Sequence, residues 1–236
     1  VAMDVDASAM TSKVFTFDGS AEDDGTFNIT VAGTGAHNIT LGQLGDTVTS
    51  TSTGAVTVVG TAGANTITTG AGADLITLGT GNDTITAGDG ADTIALATAN
   101  LTTNDTINAG DGTDLIHTTA AMDLADADFT NVTNVETISL AATSKNMTLI
   151  MGAQTSEAGI STVTMGSSIN TVTVGAGHTA ALAVTEGTDG TTTLDASAYT
   201  GALTVTINDT VDGDTYTGGT GTNDTLKYTL SSNHIG

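Results

Sequence analysis

Cysteine and proline are both absent from this chain of 236 residues, and only Lys13, Lys145 and Lys227 are basic. Without cysteine there is no disulfide framework and no thiolate metal site, which suits a secreted bacterial protein stapled by other means. Aromatic residues make up 3% of the sequence, too few to fill a globular core with rings. Against the three lysines stand 26 acidic residues, for a formal net charge of −23. Nothing could neutralise nucleic-acid phosphates or anionic head groups, so nucleic acid and insertion into such membranes are excluded. No apolar run approaches the ~20 residues of a membrane span. The opening VAMDVDASAM lacks the basic and apolar regions of a signal peptide. Either an export signal lies elsewhere or the sequence is an excised piece, and the repeat-like pattern still running at GGTGTNDTLKYTL favours the piece.

What is present is threonine, roughly a fifth of the chain, which favours extended structure, together with thinly and regularly spread Ile, Val, Leu and Ala. Charged residues are 12% and mean hydropathy is +0.13, unlike an acidic disordered chain. The acids are nearly all aspartate, with only Glu22, Glu136, Glu157 and Glu186 as glutamates. Aspartate is a poor strand residue, so its abundance calls for turns or ligands.

A nonapeptide runs through the first half. GTAGANTIT (60–68), TGAGADLIT (69–77), LGTGNDTIT (78–86) and AGDGADTIA (87–95) follow one another; after LATA come NLTTNDTIN (100–108) and AGDGTDLIH (109–117). The consensus is x-G-x-G-x-D-x-I-x, with Ile67, Ile76, Ile85, Ile94, Ile107 and Ile116 at position eight. A three-residue strand turns that isoleucine inward and its neighbours outward. The six remaining residues must reverse the chain, and glycine permits the backbone conformations this demands. Two nonapeptides make a coil, so residues ~18 apart stack. LATA lengthens one turn without breaking the ladder. The same beat begins earlier in FNITVAGTGAHNITLG, DTVTSTSTG and AVTVVG, where His37, Asp46 and Val56 hold the acid's position. The solenoid is expected from about Phe27, with residues 1–26 as a cap or linker and VFTF (14–17) as a capping strand.

Position six of alternate repeats falls on one edge. Asp74, Asp92 and Asp114 share one edge; Asn65, Asp83 and Asp105 share the other. Carboxylates stacked a coil apart repel unless a hard cation lies between them. Calcium takes about 6–8 oxygens at about 2.3–2.6 Å from carboxylates and carbonyls, which glycine-rich turns expose. Six copies in register argue against aspartate and glycine merely marking turns. Asn65 lacks a charge and Thr103 stands where glycine is expected, so the Asp74/Asp92/Asp114 edge should bind best.

The run TGAGADLITLGTGNDTITAGDGADTI resembles the RTX pattern GGxGxDxUx, U being aliphatic, although the first of the paired glycines is usually missing. The resemblance implies a right-handed parallel β-roll that folds on calcium outside the cell after type I secretion. It further implies several calcium ions, held by carbonyls around Gly70, Gly72, Gly79, Gly81, Gly88, Gly90, Gly110 and Gly112 and by acids of the same turns, Asp89 and Asp111 included.

From Thr118 the aspartate repeat stops but strands continue at roughly nine- to fourteen-residue spacing: VETISLA, MTLIMGA, STVTMGS, NTVTVGA, ALAVTEG, TTTLDAS and ALTVTIN. Residues 120–130 read as a short helix or loop, and Met147, Met151 and Met165 as core fillers. Residues 118–210 are thus expected to continue the solenoid or a packed sheet. Residues 211–236 read as a degenerate calcium repeat carrying Asp212, Asp214 and Asp224. FTNVTNVETISL followed by LDASAYTGALTVT resembles segments of RTX-type surface-layer proteins. That implies a secreted, cell-surface structural protein whose partner is itself, with cell-surface glycan or lipopolysaccharide reached through other regions.

No GxSxG or HExxH motif occurs, and His37, His117, His178 and His234 are scattered, so the chain is read as a non-enzyme. The leading function is a calcium-dependent self-assembling surface-layer domain. A calcium-folded module of an RTX adhesin, toxin or exoenzyme is the alternative. Ice binding is the third, suggested by GTGND (79–83) and the threonine-rich strands; it needs a file of Thr or Asn longer than Asn82 and Asn104 supply.

Overall fold

Threonine-isoleucine-threonine triplets between glycine turns should form short strands with one buried side chain each, and the computed structural model has this form. It describes residues 1–97, 101–140, 146–188, 190–208 and 213–228. Two compact units make up the chain: Val1–Ile116 with Asn131–Val135, and His117–Thr130 with Glu136–Gly236.

In the first unit successive strands alternate between two all-parallel sheets, one strand per sheet per coil, giving a β-solenoid. One sheet runs Ala2–Ala7, Thr26–Val31, Thr47–Ser50, Thr66–Thr68, Thr84–Thr86, Thr106–Asn108 and Val132–Thr133. The other includes Thr16–Asp18, His37–Thr40, Val56–Val59, Leu75–Leu78 and Thr93–Leu96. Ala2–Ala7 already pairs with Thr26–Val31, so coiling begins within the segment expected as a cap.

The register is the nonapeptide's own. Ile67 pairs with Ile85 and Ile76 with Ile94. Across the LATA insertion Ile85 still pairs with Ile107, so the ladder register survives it; Thr98, Ala99 and Asn100 lie outside the described residues. All six position-eight isoleucines are 0–2% exposed. Each contributes about 1.5–3 kcal/mol of apolar burial, so the thin core is a single file of aliphatics on each sheet.

The second unit repeats this architecture without the aspartate repeat. Thr137–Leu140, Thr162–Met165, Leu182–Thr185, Leu203–Ile207 and Thr225–Tyr228 lie parallel, as do Asp123–Leu124, Met147–Met151, Asn170–Val174, Thr192–Asp195 and Thr215–Thr217. Met147, Met151 and Met165 are 1–2% exposed, the filler role expected. Residues 120–130 supply the strand Asp123–Leu124 and a 3-10 turn, Asp126–Phe129. An α-helical turn, Ala153–Glu157, follows Met151; strand periodicity gives no hint of it.

Candidate metal centre: aspartate ladders on the turns

Position six does the same backbone job in coil after coil. Its side chain accepts a hydrogen bond from the N–H of the equivalent residue one coil earlier. On one edge Val56 donates to Asp74 Oδ1 at 2.7 Å, Asp74 to Asp92 at 2.8 Å, and Asp92 to Asp114 at 2.7 Å. On the other, Phe27 donates to Asp46 at 2.8 Å, Asp46 to Asn65 at 3.0 Å, Asn65 to Asp83 at 2.8 Å, and Asp83 to Asp105 at 2.8 Å. The first repeat-like coil uses an imidazole: Phe15 N–H donates to His37 Nδ1 at 3.2 Å. Sequence reasoning assigned the two edges but missed this ladder, since a repeat gives spacing and not the partner of each oxygen.

One oxygen of each carboxylate is thereby used, and the second separates the acids into two kinds. Asp46 Oδ2 accepts from Gly42 N–H at 2.9 Å. Asp105 Oδ2 accepts from the Thr102 N–H at 2.7 Å and its hydroxyl at 3.0 Å. These two are closed by their own turns, GQLGD and LTTND, which depart from the GxGxD spacing. By contrast, Oδ2 of Asp74, Asp83 and Asp92 is buried with no hydrogen-bond partner, although these side chains are only 1–2% exposed. A buried, unpaired carboxylate oxygen is costly. Burial makes these carboxyls weaker acids. It raises the pKa of Asp74 against the opposing pull of the Val56 and Gly70 N–H groups and the Thr69 hydroxyl, and that of Asp83 with the Asp105 charge adding to it. Asp92 is raised to about 6 by burial and then by Asp74, Asp114 and Asp89.

The glycines stand where no side chain fits. A Cβ on Gly70 would collide with the Ser52 carbonyl oxygen, on Gly88 with that of Gly70, and on Gly110 with that of Gly88. Gly72, Gly90 and Gly112 stand likewise over Gly54, Gly72 and Gly90, and Gly79 and Gly81 over Thr61 and Gly63. Position-two carbonyls are already engaged: Gly70 O accepts from Asp89 N–H and Gly88 O from Asp111 N–H, each at 2.9 Å. Asp89 and Asp111 have exposed side chains and pair with one another through a short parallel bridge.

Among the described residues no three acidic or histidine side chains converge on one point. A cation here would be held by carboxylates one coil apart together with turn carbonyls. An all-oxygen donor set with orphaned carboxylate oxygens fits calcium and not a soft metal; it would neutralise the stacked charge and hold the turns in place.

Outside the repeats, Asp214 Oδ1 accepts from Thr192 N–H at 2.8 Å and Asp224 Oδ1 from Leu203 N–H at 3.0 Å. The second unit thus uses the same ladder bond, with Asp214 half-buried and Asp224 exposed. Asp212 lies outside the described residues, as does His234. His37, the first residue of the strand His37–Thr40, and His178 are fully buried. His178 Nδ1 lies 3.3 Å from the Thr155 hydroxyl, and burial lowers its pKa.

No curated protein and no solved structure gives a significant match to the chain. A match does come from the RTX calcium-binding nonapeptide repeat, in four copies over residues 59–94 and 102–120. These bounds enclose every orphaned ladder carboxylate named above. The segment that stacks aspartate on aspartate and glycine on glycine, coil over coil, is therefore a run of RTX calcium-binding repeats set in a parallel β-solenoid.

Proposed function

We propose that this calcium-binding RTX module is a structural, self-assembling domain of a bacterial surface layer, secreted and displayed on the cell, with no catalytic role. The observation that carries the reading is the buried Oδ2 of Asp74, Asp83 and Asp92, which ties order in these coils to calcium. Outside a cell calcium is abundant, so such coils harden after export. The parallel coils of the second unit, which lack the aspartate repeat, suit a load-bearing structure better than a catalytic site. A net charge of −23 keeps copies apart until a divalent cation screens or bridges them. No described helix is long and apolar enough to cross a membrane.

Calcium titration followed by negative-stain imaging tests the proposal. Ordered sheets at millimolar calcium support it. A chain that folds on calcium yet stays monomeric at every concentration overturns assembly and leaves the alternative, a folding module of a secreted adhesin, toxin or exoenzyme.

One observation favours the ice-binding reading more than the sequence did. Thr47, Thr66, Thr84 and Thr106 stand in register on one sheet, beside Thr30, Thr49, Thr68 and Thr86. These two files are longer than Asn82 and Asn104, and thermal hysteresis in calcium decides the point.

A further inference from the structure

The turns before Gly70 present the same carbonyls as the calcium repeats, yet polar side chains of the protein satisfy them. Ser52 is fully buried at position two of its repeat. Its hydroxyl lies 3.1 Å from the carbonyl oxygens of Gly33 and Gly54 and 3.5 Å from that of Gly35, and accepts from Gly54 N–H at 3.0 Å. In later coils on this edge position two is Gly70, Gly88 or Gly110, which has no side chain to place there. On the opposite edge Asn65 Oδ1 faces the Asp46 N–H, which fixes the amide orientation, since an N–H needs an acceptor. Its Nδ2 then donates to Gly63 O at 3.2 Å and reaches Ala62 O at 3.5 Å. His37 follows the same logic: Nδ1 accepts from Phe15, so the proton sits on Nε2, 3.2 Å from Ala32 O. Asp46, the one acid at position six in these coils, is closed by Gly42 N–H.

We propose that Ser52, Asn65 and His37 take the place of calcium in the early coils, so that residues 26–69 hold their fold without the ion and template the calcium-dependent coils after them. Each plug is a neutral side chain that donates to turn carbonyls; Asn65 and His37 also accept the ladder N–H, whereas Ser52 accepts from Gly54 N–H of its own turn. An aspartate offers only acceptors and leaves the carbonyls to a cation. Asn65 and Ser52 thereby set where calcium binding begins along the solenoid. The inference rests on the calcium reading of the repeats but is separable from it.

The test is hydrogen exchange with mass spectrometry on the full chain, with calcium and after rigorous chelation. On chelation, amides of Thr26–Val31, His37–Thr40 and Val56–Val59 should keep their protection. Those of Thr93–Leu96 and Thr106–Asn108 should exchange about a hundredfold faster or more. Loss of protection in both groups together overturns the template while leaving calcium folding intact. Unchanged protection everywhere overturns the calcium reading itself. Asn65→Asp, which removes the amide donor and adds a buried charge, should make Thr47–Ser50 and Thr66–Thr68 calcium-dependent and raise the number of ions bound in calorimetry. If that variant keeps both protection without calcium and the parent stoichiometry, Asn65 is not a plug.

Discussion

Asp74 and Asp92 stand one coil apart on the same edge, and the backbone N–H of the first donates to Oδ1 of the second at 2.8 Å. Each aspartate is therefore a structural strut through one oxygen and an electrostatic liability through the other. Asp92→Asn keeps the strut, and its Nδ2 should reach the Gly90 carbonyl as Asn65 Nδ2 reaches that of Gly63. Without calcium the variant should be more stable than the parent by about 1–3 kcal/mol, because a buried unsatisfied charge is gone. In saturating calcium it should be less stable by a similar amount, because a ligand is gone. Thermal melts under both conditions read the sign; a change of the same sign in both refutes the two-role account.

The pH dependence of the calcium-free chain follows from the same carboxylates. Burial, with neighbouring charges adding to it, moves Asp92 from 3.8 to about 6 and raises Asp74 and Asp83. A carboxyl whose folded pKa is raised holds its proton more tightly in the folded chain. Its contribution is complete below the unfolded value and is lost as pH rises through the folded one. The calcium-free chain should thus melt higher at roughly pH 5 than at roughly pH 7.5, and the gain from calcium should be larger at the higher pH. A calcium-free melting point that rises between these values contradicts the assignment.

The beat of the fold is written plainly in the sequence, because a strand needs only alternation and a turn needs only glycine. Ile67, Ile85 and Ile107 could be placed in one file, and Ile76, Ile94 and Ile116 in another, from spacing alone. What spacing could not give was the second oxygen of each acid. Asp105 looks like Asp83 in the repeat, yet Thr102 closes it, and only the irregular LTTND turn hints at that. His37 and Asn65 were legible as departures from the consensus and Ser52 was not, and the hydrogen bonds of all three depend on carbonyls contributed by neighbouring residues and coils. The helical turn Ala153–Glu157 was hidden because its carboxylate partner, Asp126, lies outside its own segment.

Close stacking of turns makes glycine indispensable at chosen positions. Gly110 has φ +101°, and a Cβ there would collide with the Gly88 carbonyl. Gly110→Ala combines left-handed strain with a backbone clash and should cost about 2–4 kcal/mol, lowering the melting point by roughly 5–15 °C. Gly175 has only the Met151 carbonyl near, at 3.3 Å from an added Cβ, so Gly175→Ala should cost less than about 1 kcal/mol. Equal losses in the two variants would remove the argument for stacked turns.

Asp126 offers a control in which an aspartate is structural with no metal involved. Its Oδ1 accepts from the N–H groups of Gly152 at 2.8 Å and Thr155 at 2.9 Å, and from the Thr155 hydroxyl at 3.0 Å. Its Oδ2 accepts from Gln154 N–H at 3.2 Å. Both oxygens are thus occupied by donors at the start of the turn Ala153–Glu157, where a carboxylate satisfies N–H groups that have no partner inside the helix. Asp126→Ala should destabilise the second unit by about 1–3 kcal/mol, and by the same amount with and without calcium. Asp92→Ala should cost more in calcium than after chelation, because the strut to Asp74 N–H is lost in both conditions while the cation ligand matters only when the ion is present. Melts of both variants, with calcium and with chelator, separate a carboxylate that holds backbone from one that also holds a cation. A calcium-dependent loss at Asp126 would mean that occupied oxygens do not exclude the ion, and the sorting of open from closed aspartates would fail with it.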